Sequence, residues 1–188
     1  MRLPAPRIEP LDEAELDPAA RAALAALPES ARSFHIFRTM AHAPDALTAF
    51  LAWGNYVLSS ANSLAPRERE LAILRVGYLC RAGYEWAQHR VIGLGAGLTA
   101  DEIEAIKRGP DSSTWGPLDR AILQACDELV QRHHIADATW SALASLGDRG
   151  RMDLVFTVGQ YTQVSMLLNS FGVQLDPGLP GDPDLQQP

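Results

Sequence analysis

The sequence predicts an all-α fold built as a single domain. Apolar residues recur at spacings of three and four along most of the chain, as on the buried face of a helix. Prolines and capping residues stand where these periodic segments begin or end. No segment keeps the strict alternation of a half-buried strand. The 188 residues, 47% of them apolar, suffice for one ordinary globular domain.

The predicted helices follow one another with short breaks. Pro28 closes the first, Pro44 closes the second, and Pro66 is a first-turn residue of the fourth. Thr99 and Glu102 form a capping box before the sixth. The last helix is apolar on nearly every side, which is typical of a deeply buried or interfacial helix. The predicted bounds are Leu11–Leu27, Ser33–Ala43, Asp45–Ser59, Arg67–Leu79, Tyr84–Leu94, Ile103–Arg108, Leu118–Arg132, Asp137–Leu146 and Arg151–Ser170.

Composition and charge exclude several classes of protein. The chain carries 16 basic and 23 acidic residues, and Lys107 is its sole lysine. It therefore lacks the basic stripe by which proteins bind nucleic acids or anionic membranes. Two cysteines are too few for a disulfide scaffold. The first ten residues do not resemble a signal peptide, and no apolar run is long enough to cross a membrane. We therefore expect a cytoplasmic protein.

The densest chemical signal lies between Arg67 and His89. Glu85 and His89 are four residues apart, so a helix places them on one face, where a carboxylate orients an imidazole. A break at Cys80–Gly83 would fold the chain back and bring Glu70 to the same face. Two carboxylates and a histidine in an apolar cleft suit acid/base chemistry. The alternative is a solvated Glu–His pair on a helix surface. A metal site is not expected, because the group contains a single histidine.

Other side chains near this group have two interpretations each. Arg75 can clamp a substrate carboxylate, or it can form a structural ion pair with Glu70 or Glu85. Tyr84 and Trp86 flank Glu85 and can line a pocket, or they can be core aromatics.

The two cysteines have similar alternatives. Both suit small buried apolar positions. Cys80, beside Arg81, is the better candidate for a reactive thiol, since Cys126 lies on the apolar face of its helix.

Two motifs resemble the carboxymuconolactone decarboxylase family, which also contains the alkylhydroperoxidase D-like proteins. They are RELAILRV from Arg69 and YEWAQH from Tyr84 to His89. Weaker likenesses extend the resemblance over residues 33–176, at His35–Pro44, at Gly97–Ile103, at Asp127 and at Asn169–Val173. The resemblance implies an alkylhydroperoxidase D-like helical bundle over residues 33–176, with a helical extension at 1–32 and a proline-rich tail at 177–188. It also implies homo-oligomers, trimers or hexamers with a dimer as the alternative, and an active site between helices near a subunit interface.

The same resemblance indicates which chemistry to expect. In the hydroperoxidase branch a Cys-x-x-Cys pair precedes the histidine, and Ala82 and Glu85 occupy those two positions here, while Glu70 and His89 match the rest of the relay. It therefore implies a decarboxylase-type reaction on a small carboxylated or lactone-like molecule. His89 would donate or shuttle the proton, Glu85 would orient it, Glu70 would complete the relay, and Arg75 would hold the substrate anion. No cofactor is implied, because the lactone itself takes up the electron pair. The alternatives are a thiol peroxidase using Cys80 and a non-catalytic oligomeric binding protein.

Overall fold

The computed structural model describes residues 2–185; Met1, in the predicted extension, and residues 186–188, in the predicted tail, lie outside the described residues. Within this range the regular structure is entirely helical, which confirms the all-α fold class. The α-helices are α1 (Pro18–Ala25), α2 (His35–Met40), α3 (Pro44–Leu58), α4 (Pro66–Leu79), α5 (Gly83–Gly95), α6 (Ala100–Arg108), α7 (Pro117–Arg132), α8 (Asp137–Ala142) and α9 (Gly147–Phe171).

Helix α4 is the centre of the bundle. It packs against α5, α6, α7 and α9, and every residue from Glu70 to Gly77 is buried. This stretch carries two charged side chains, Glu70 and Arg75, into the core of the domain. A buried charge is strongly destabilising unless it is paired, so both need partners on the surrounding helices.

The chain reverses direction between α4 and α5, as the predicted break requires. Arg81 adopts the left-handed conformation, with φ of 53°, and the Ala82 N–H then donates to the Gly77 carbonyl at 2.8 Å. The backbone reversal therefore lies at Arg81, and Gly83 is already the first residue of α5. The two helices run back along each other, so residues near the middle of α5 meet residues near the start of α4.

The structure corrects the first predicted helix. Residues 11–17 are not helical; α1 starts only at Pro18, because the Asp17 side chain caps it by accepting from the Ala20 N–H at 2.7 Å. Proline is favoured in this first turn, since it has no N–H to leave unsatisfied. The eighth predicted helix is also shorter, ending at Ala142 before a 3₁₀ turn at Ala144–Leu146.

The C-terminal tail is anchored to the bundle as far as residue 185. Lys107 pairs with Asp182 at 2.8 Å and with Asp184 at 3.0 Å, and Leu185 is buried. The proline-rich segment therefore packs along the domain up to that point.

Among residues 2–185, no helix combines the length and the apolar character needed to cross a membrane.

Candidate functional site

Three side chains predicted from the sequence meet between α4 and α5. His89 Nδ1 lies 2.7 Å from Glu70 Oε2, and because the carboxylate can only accept, the ring N–H donates. His89 Nε2 lies 2.9 Å from Glu85 Oε1, one helical turn away on α5. The imidazole is thus held between two carboxylates. We call Glu70, Glu85 and His89 the carboxylate–histidine cluster.

The carboxylate–histidine cluster is buried rather than solvated, unlike the surface pair considered above. Side-chain exposure is 2% for Glu70, 5% for Glu85 and 8% for His89, so the residual opening is largest at the imidazole. Burial by itself lowers the pKa of His89, but the negative charges of Glu85 and Glu70, with the hydrogen bonds to them, raise it to about 10. His89 is therefore an imidazolium at neutral pH.

The two carboxylates contact the imidazole differently. The Glu70 contact is an aligned hydrogen bond. The Glu85 contact is close, but its direction is off the N–H axis, and Glu85 Oε1 is a buried oxygen without a hydrogen-bond partner among the described residues. A buried unsatisfied carboxylate oxygen is costly and therefore unusual. His89 Nε2 and Glu85 Oε1 thus lie side by side as an ion pair, a donor and an acceptor without an aligned hydrogen bond between them.

Helix α9 completes the surroundings of the cluster, and sequence reasoning missed its contribution. The Tyr161 ring meets the His89 ring edge to face, with centroids 5.0 Å apart. Burial, followed by the charges of Glu85 and Glu70, raises the pKa of Tyr161 well above its ordinary value, so the phenol stays neutral. Neighbouring Gln160 is buried, and its Oε1 has no hydrogen-bond partner in the described chain. No local motif marked Tyr161, because its contact with His89 depends on packing between distant helices.

Arg75 does not face this cluster. Its guanidinium binds Asp127 on α7 in a bidentate ion pair, with Nε–Oδ1 of 2.6 Å and Nη2–Oδ2 of 2.8 Å. Its remaining nitrogen donates to the carbonyls of Ile106 and Lys107. The substrate-binding prediction is corrected accordingly. Arg75 joins α4, α6 and α7 as a structural ion pair, whose partner is neither of the glutamates that the sequence analysis considered.

Tyr84 lies in a different polar group. It is almost fully buried, and its hydroxyl donates to Asp176 at the start of the tail. Gln88 also donates to Asp176, at 2.6 Å, and the His35 backbone N–H does so at 2.8 Å. These contacts tie α5 to α2 and to the C-terminal segment. The structure therefore gives Tyr84 a structural position instead of the predicted place in a substrate pocket.

Trp86 is a core aromatic. It packs against Tyr78, with ring centroids 5.6 Å apart, and Lys107 lies over its ring at 5.5 Å. It is 1% exposed, so the structure favours the alternative interpretation, a core aromatic, over the predicted role as a pocket-lining residue.

Neither cysteine is a member of the carboxylate–histidine cluster. Both are free thiols. Cys126 is fully buried, with Sγ 3.9 Å from the Ala72 carbonyl oxygen, and burial raises the pKa of its thiol. Cys80 is half-buried and lines a separate pocket beside α9. Within residues 2–185, no group of three or more His, Cys, Asp or Glu side chains is arranged to hold a metal ion.

Solved structures of low sequence identity share this fold. An uncharacterised peroxidase-related protein from Silicibacter sp. TM1040 matches with a TM-score of 0.77 at 16% identity, over 94% of this chain and 96% of that one. An alkylhydroperoxidase AhpD core protein from Ralstonia eutropha JMP134 gives 0.72 at 19% identity, over 90% and 93%. The debrominase Bmp8, in complex with 2,3,4-tribromopyrrole, gives 0.66 at 18% identity, over 90% and 91%. At these identities the likeness establishes the fold alone.

One family model matches part of the chain. No curated protein sequence matches the chain. Residues 44–128 match the Carboxymuconolactone decarboxylase family, and this stretch includes all three members of the carboxylate–histidine cluster. This match and the fold shared with the alkylhydroperoxidase-like structures both support the resemblance to the carboxymuconolactone decarboxylase and alkylhydroperoxidase D-like proteins.

Proposed function

We propose that this protein is a carbon–carbon lyase that works by proton transfer, without a cofactor, on a small carboxylated or lactone-like substrate. The observation that carries the proposal is the edge formed by His89 Nε2 and Glu85 Oε1. The two atoms lie 2.9 Å apart without an aligned hydrogen bond, and the Glu85 oxygen has no partner among the described residues. A donor and an acceptor held together in this way can contact one reacting group of a substrate.

The charge state of His89 assigns it the part of general acid. Its pKa of about 10 keeps the proton on the ring at neutral pH. An acid with so high a pKa donates its proton poorly to a weakly basic leaving group. It donates readily to a strongly basic carbanion. When a lactone carboxylate loses CO₂, the C–C bonding pair passes into the conjugated lactone. The His89 Nε2–H then protonates a carbon of the resulting dienolate. The ring regains its proton from solvent.

The two glutamates serve different purposes in this scheme. Glu70, aligned with Nδ1, fixes the orientation of the ring and stabilises the imidazolium, so it is a positioning residue. Glu85 lies at the reacting edge, where Oε1, paired with the imidazolium but without an aligned hydrogen bond, can accept a proton from the substrate or from water. Tyr161 packs on the ring and limits its rotation.

The thiol peroxidase alternative has weaker support. A dithiol mechanism needs one thiolate to attack and a second to resolve the intermediate. Here Cys126 is fully buried and engaged with Ala72, while Cys80 lines a pocket whose lining includes none of Glu70, Glu85 and His89. The non-catalytic binding protein remains as an outcome of the experiment below.

The experiment follows CO₂ release from carboxymuconolactone and a panel of small unsaturated lactone carboxylates. The variants Glu70→Gln, Glu85→Gln and His89→Asn remove titration at each position with little change of shape. A lost general acid/base contribution typically lowers the rate by about 10²- to 10⁴-fold. Glu104→Gln, an exposed carboxylate on α6, is the matched control, and circular dichroism shows that each variant folds.

Two results would contradict the proposal. One is full activity in all three variants. The other is saturable substrate binding without turnover by the wild-type protein, which would assign the cluster to a binding protein.

A further inference from the structure

We propose that a pocket between α9, the end of α4 and the N-terminal segment is a binding site for a small organic anion. The pocket has a volume of about 560 Å³, within the range of ligand sites in proteins. It lies apart from the residues of the proposed reaction, and its lining residues are Arg2, Leu3, Arg7, Cys80, Thr162, Ser165, Met166, Asn169 and Ser170.

Ser165 supplies the strongest sign that this pocket receives a ligand. The residue is 1% exposed, lines the pocket, and its hydroxyl has no hydrogen-bond partner among residues 2–185. It lies near the Cys80 thiol and lowers the pKa of that group. A buried hydroxyl normally has a partner, so an unpaired one in the wall of a pocket is a candidate contact for a ligand.

The charged side chains that line the pocket indicate which class of ligand it would bind. Two arginines contribute to it and no acidic residue does, in a protein whose net charge is −7. Arg7 donates from one nitrogen to the Ser170 carbonyl at 3.3 Å, and a guanidinium has five N–H donors, so it retains donors for an anion. Arg2 and Cys80 line the same pocket, and the charge of Arg2 acts with Ser165 to lower the pKa of the Cys80 thiol, against the raising effect of burial.

The remaining lining residues favour an anion with an apolar body. Leu3 and Met166 offer apolar surface, and Thr162 and Asn169 offer polar groups. The Asn169 amide already donates to the Cys80 carbonyl at 2.8 Å, which holds the end of α4 against α9 and fixes that wall. A short-chain carboxylate satisfies all of these features: its charged end binds the arginines and Ser165, and its chain covers the apolar side.

Cys80 provides a direct probe of the pocket. Iodoacetate and iodoacetamide alkylate the same thiolate, forming a thioether and releasing iodide, but only iodoacetate is anionic. The ratio of their rate constants therefore reports local selection for anions, because the thiolate fraction cancels. Fully buried Cys126 is the internal control in the same mass spectrum.

We expect the iodoacetate-to-iodoacetamide ratio at Cys80 to exceed that of 2-mercaptoethanol by about threefold or more, and to fall as salt screens the arginines. The double variant Arg2→Gln/Arg7→Gln should return the ratio to that of 2-mercaptoethanol. Arg149→Gln is the matched control, because it removes an exposed arginine about 24 Å along α9 from Ser165, by the helical rise. Pentanoate should protect Cys80 in a saturable way, 1-pentanol should not, and Ser165→Ala should weaken the protection.

Three results would overturn the proposal. They are an unchanged ratio in the double variant, equal protection by pentanol and pentanoate, and a Cys80 as unreactive as Cys126. None of these readouts depends on catalysis, so they are independent of the proposed lyase activity.

Discussion

His89 Nδ1 lies 2.7 Å from the Glu70 carboxylate, although 19 positions separate the two residues in the chain. The reversal at Arg81 creates this contact by folding α5 back along α4. The result is a buried imidazolium with carboxylates at both ring nitrogens.

The first prediction concerns the titration of His89. Because the charges of Glu85 and Glu70 outweigh the effect of burial, we expect NMR of the imidazole to show deprotonation only near pH 10. Glu70→Gln should lower this pKa, since it removes one of the two charges, whereas Glu104→Gln should leave it unchanged. A titration near 6.5 in the wild-type protein would contradict the electrostatic account.

The second prediction is a loss of stability with rising pH. The pKa of His89 is about 10 in the folded protein and near 6.5 in an unfolded chain, so the folded state holds the proton more tightly. Its contribution to the free energy of unfolding is complete below pH 6.5 and is lost as the pH rises through 10. Urea denaturation across this range measures the decline. His89→Asn should flatten it, and an equally steep decline in that variant would assign the effect to other groups.

The third prediction tests the structural role of Arg75. Arg75→Lys keeps the charge but cannot form the bidentate contact with Asp127, so we expect it to lower the free energy of unfolding by about 1–3 kcal/mol. The KM measured for the proposed lyase reaction should not change. A raised KM at unchanged stability would instead return Arg75 to substrate binding.

The fourth prediction compares two glycines. Gly109 has φ of 76°, and a Cβ added there would lie 2.8 Å from Arg75 Cζ. Gly109→Ala should therefore destabilise the fold by about 1–3 kcal/mol, through backbone strain and displacement of the guanidinium. Gly116 has φ of −66° and open space around its Cα, so Gly116→Ala is the matched control and should be nearly neutral. Equal melting temperatures of the two variants would contradict this description of the Arg75 site.

Local patterns predicted the features that depend on neighbours in the chain. The spacing of Glu85 and His89 placed both on one face of a helix, whereas the contact with Glu70 depended on a break at Cys80–Gly83 that was inferred from Gly83 and from the family resemblance. The helical class followed from periodicity alone. Helix ends were less predictable: α1 starts at Pro18 because of the Asp17 cap, although apolar residues continue the helical spacing on both sides of it.

Long-range partners could not be read from the sequence. Arg75 is 52 positions from Asp127, and Tyr84 is 92 positions from Asp176, so no local spacing indicated these pairs. Both residues looked like candidates for a pocket because their types suit substrate binding. Tyr161 was overlooked for the converse reason, since it lies within an apolar helix and meets His89 only through the packing of α9 against α5.

The most direct test of the proton-transfer account is the incorporation of solvent deuterium during turnover in D₂O, followed by proton NMR of the product. We predict that the wild-type protein places one deuteron on a carbon of the dienolate that forms when CO₂ leaves. Glu85→Gln should lower the rate of this incorporation by about 10²- to 10⁴-fold relative to Glu104→Gln. Equal rates of incorporation in these two variants would contradict the assignment of the Glu85–His89 edge as the site of proton transfer.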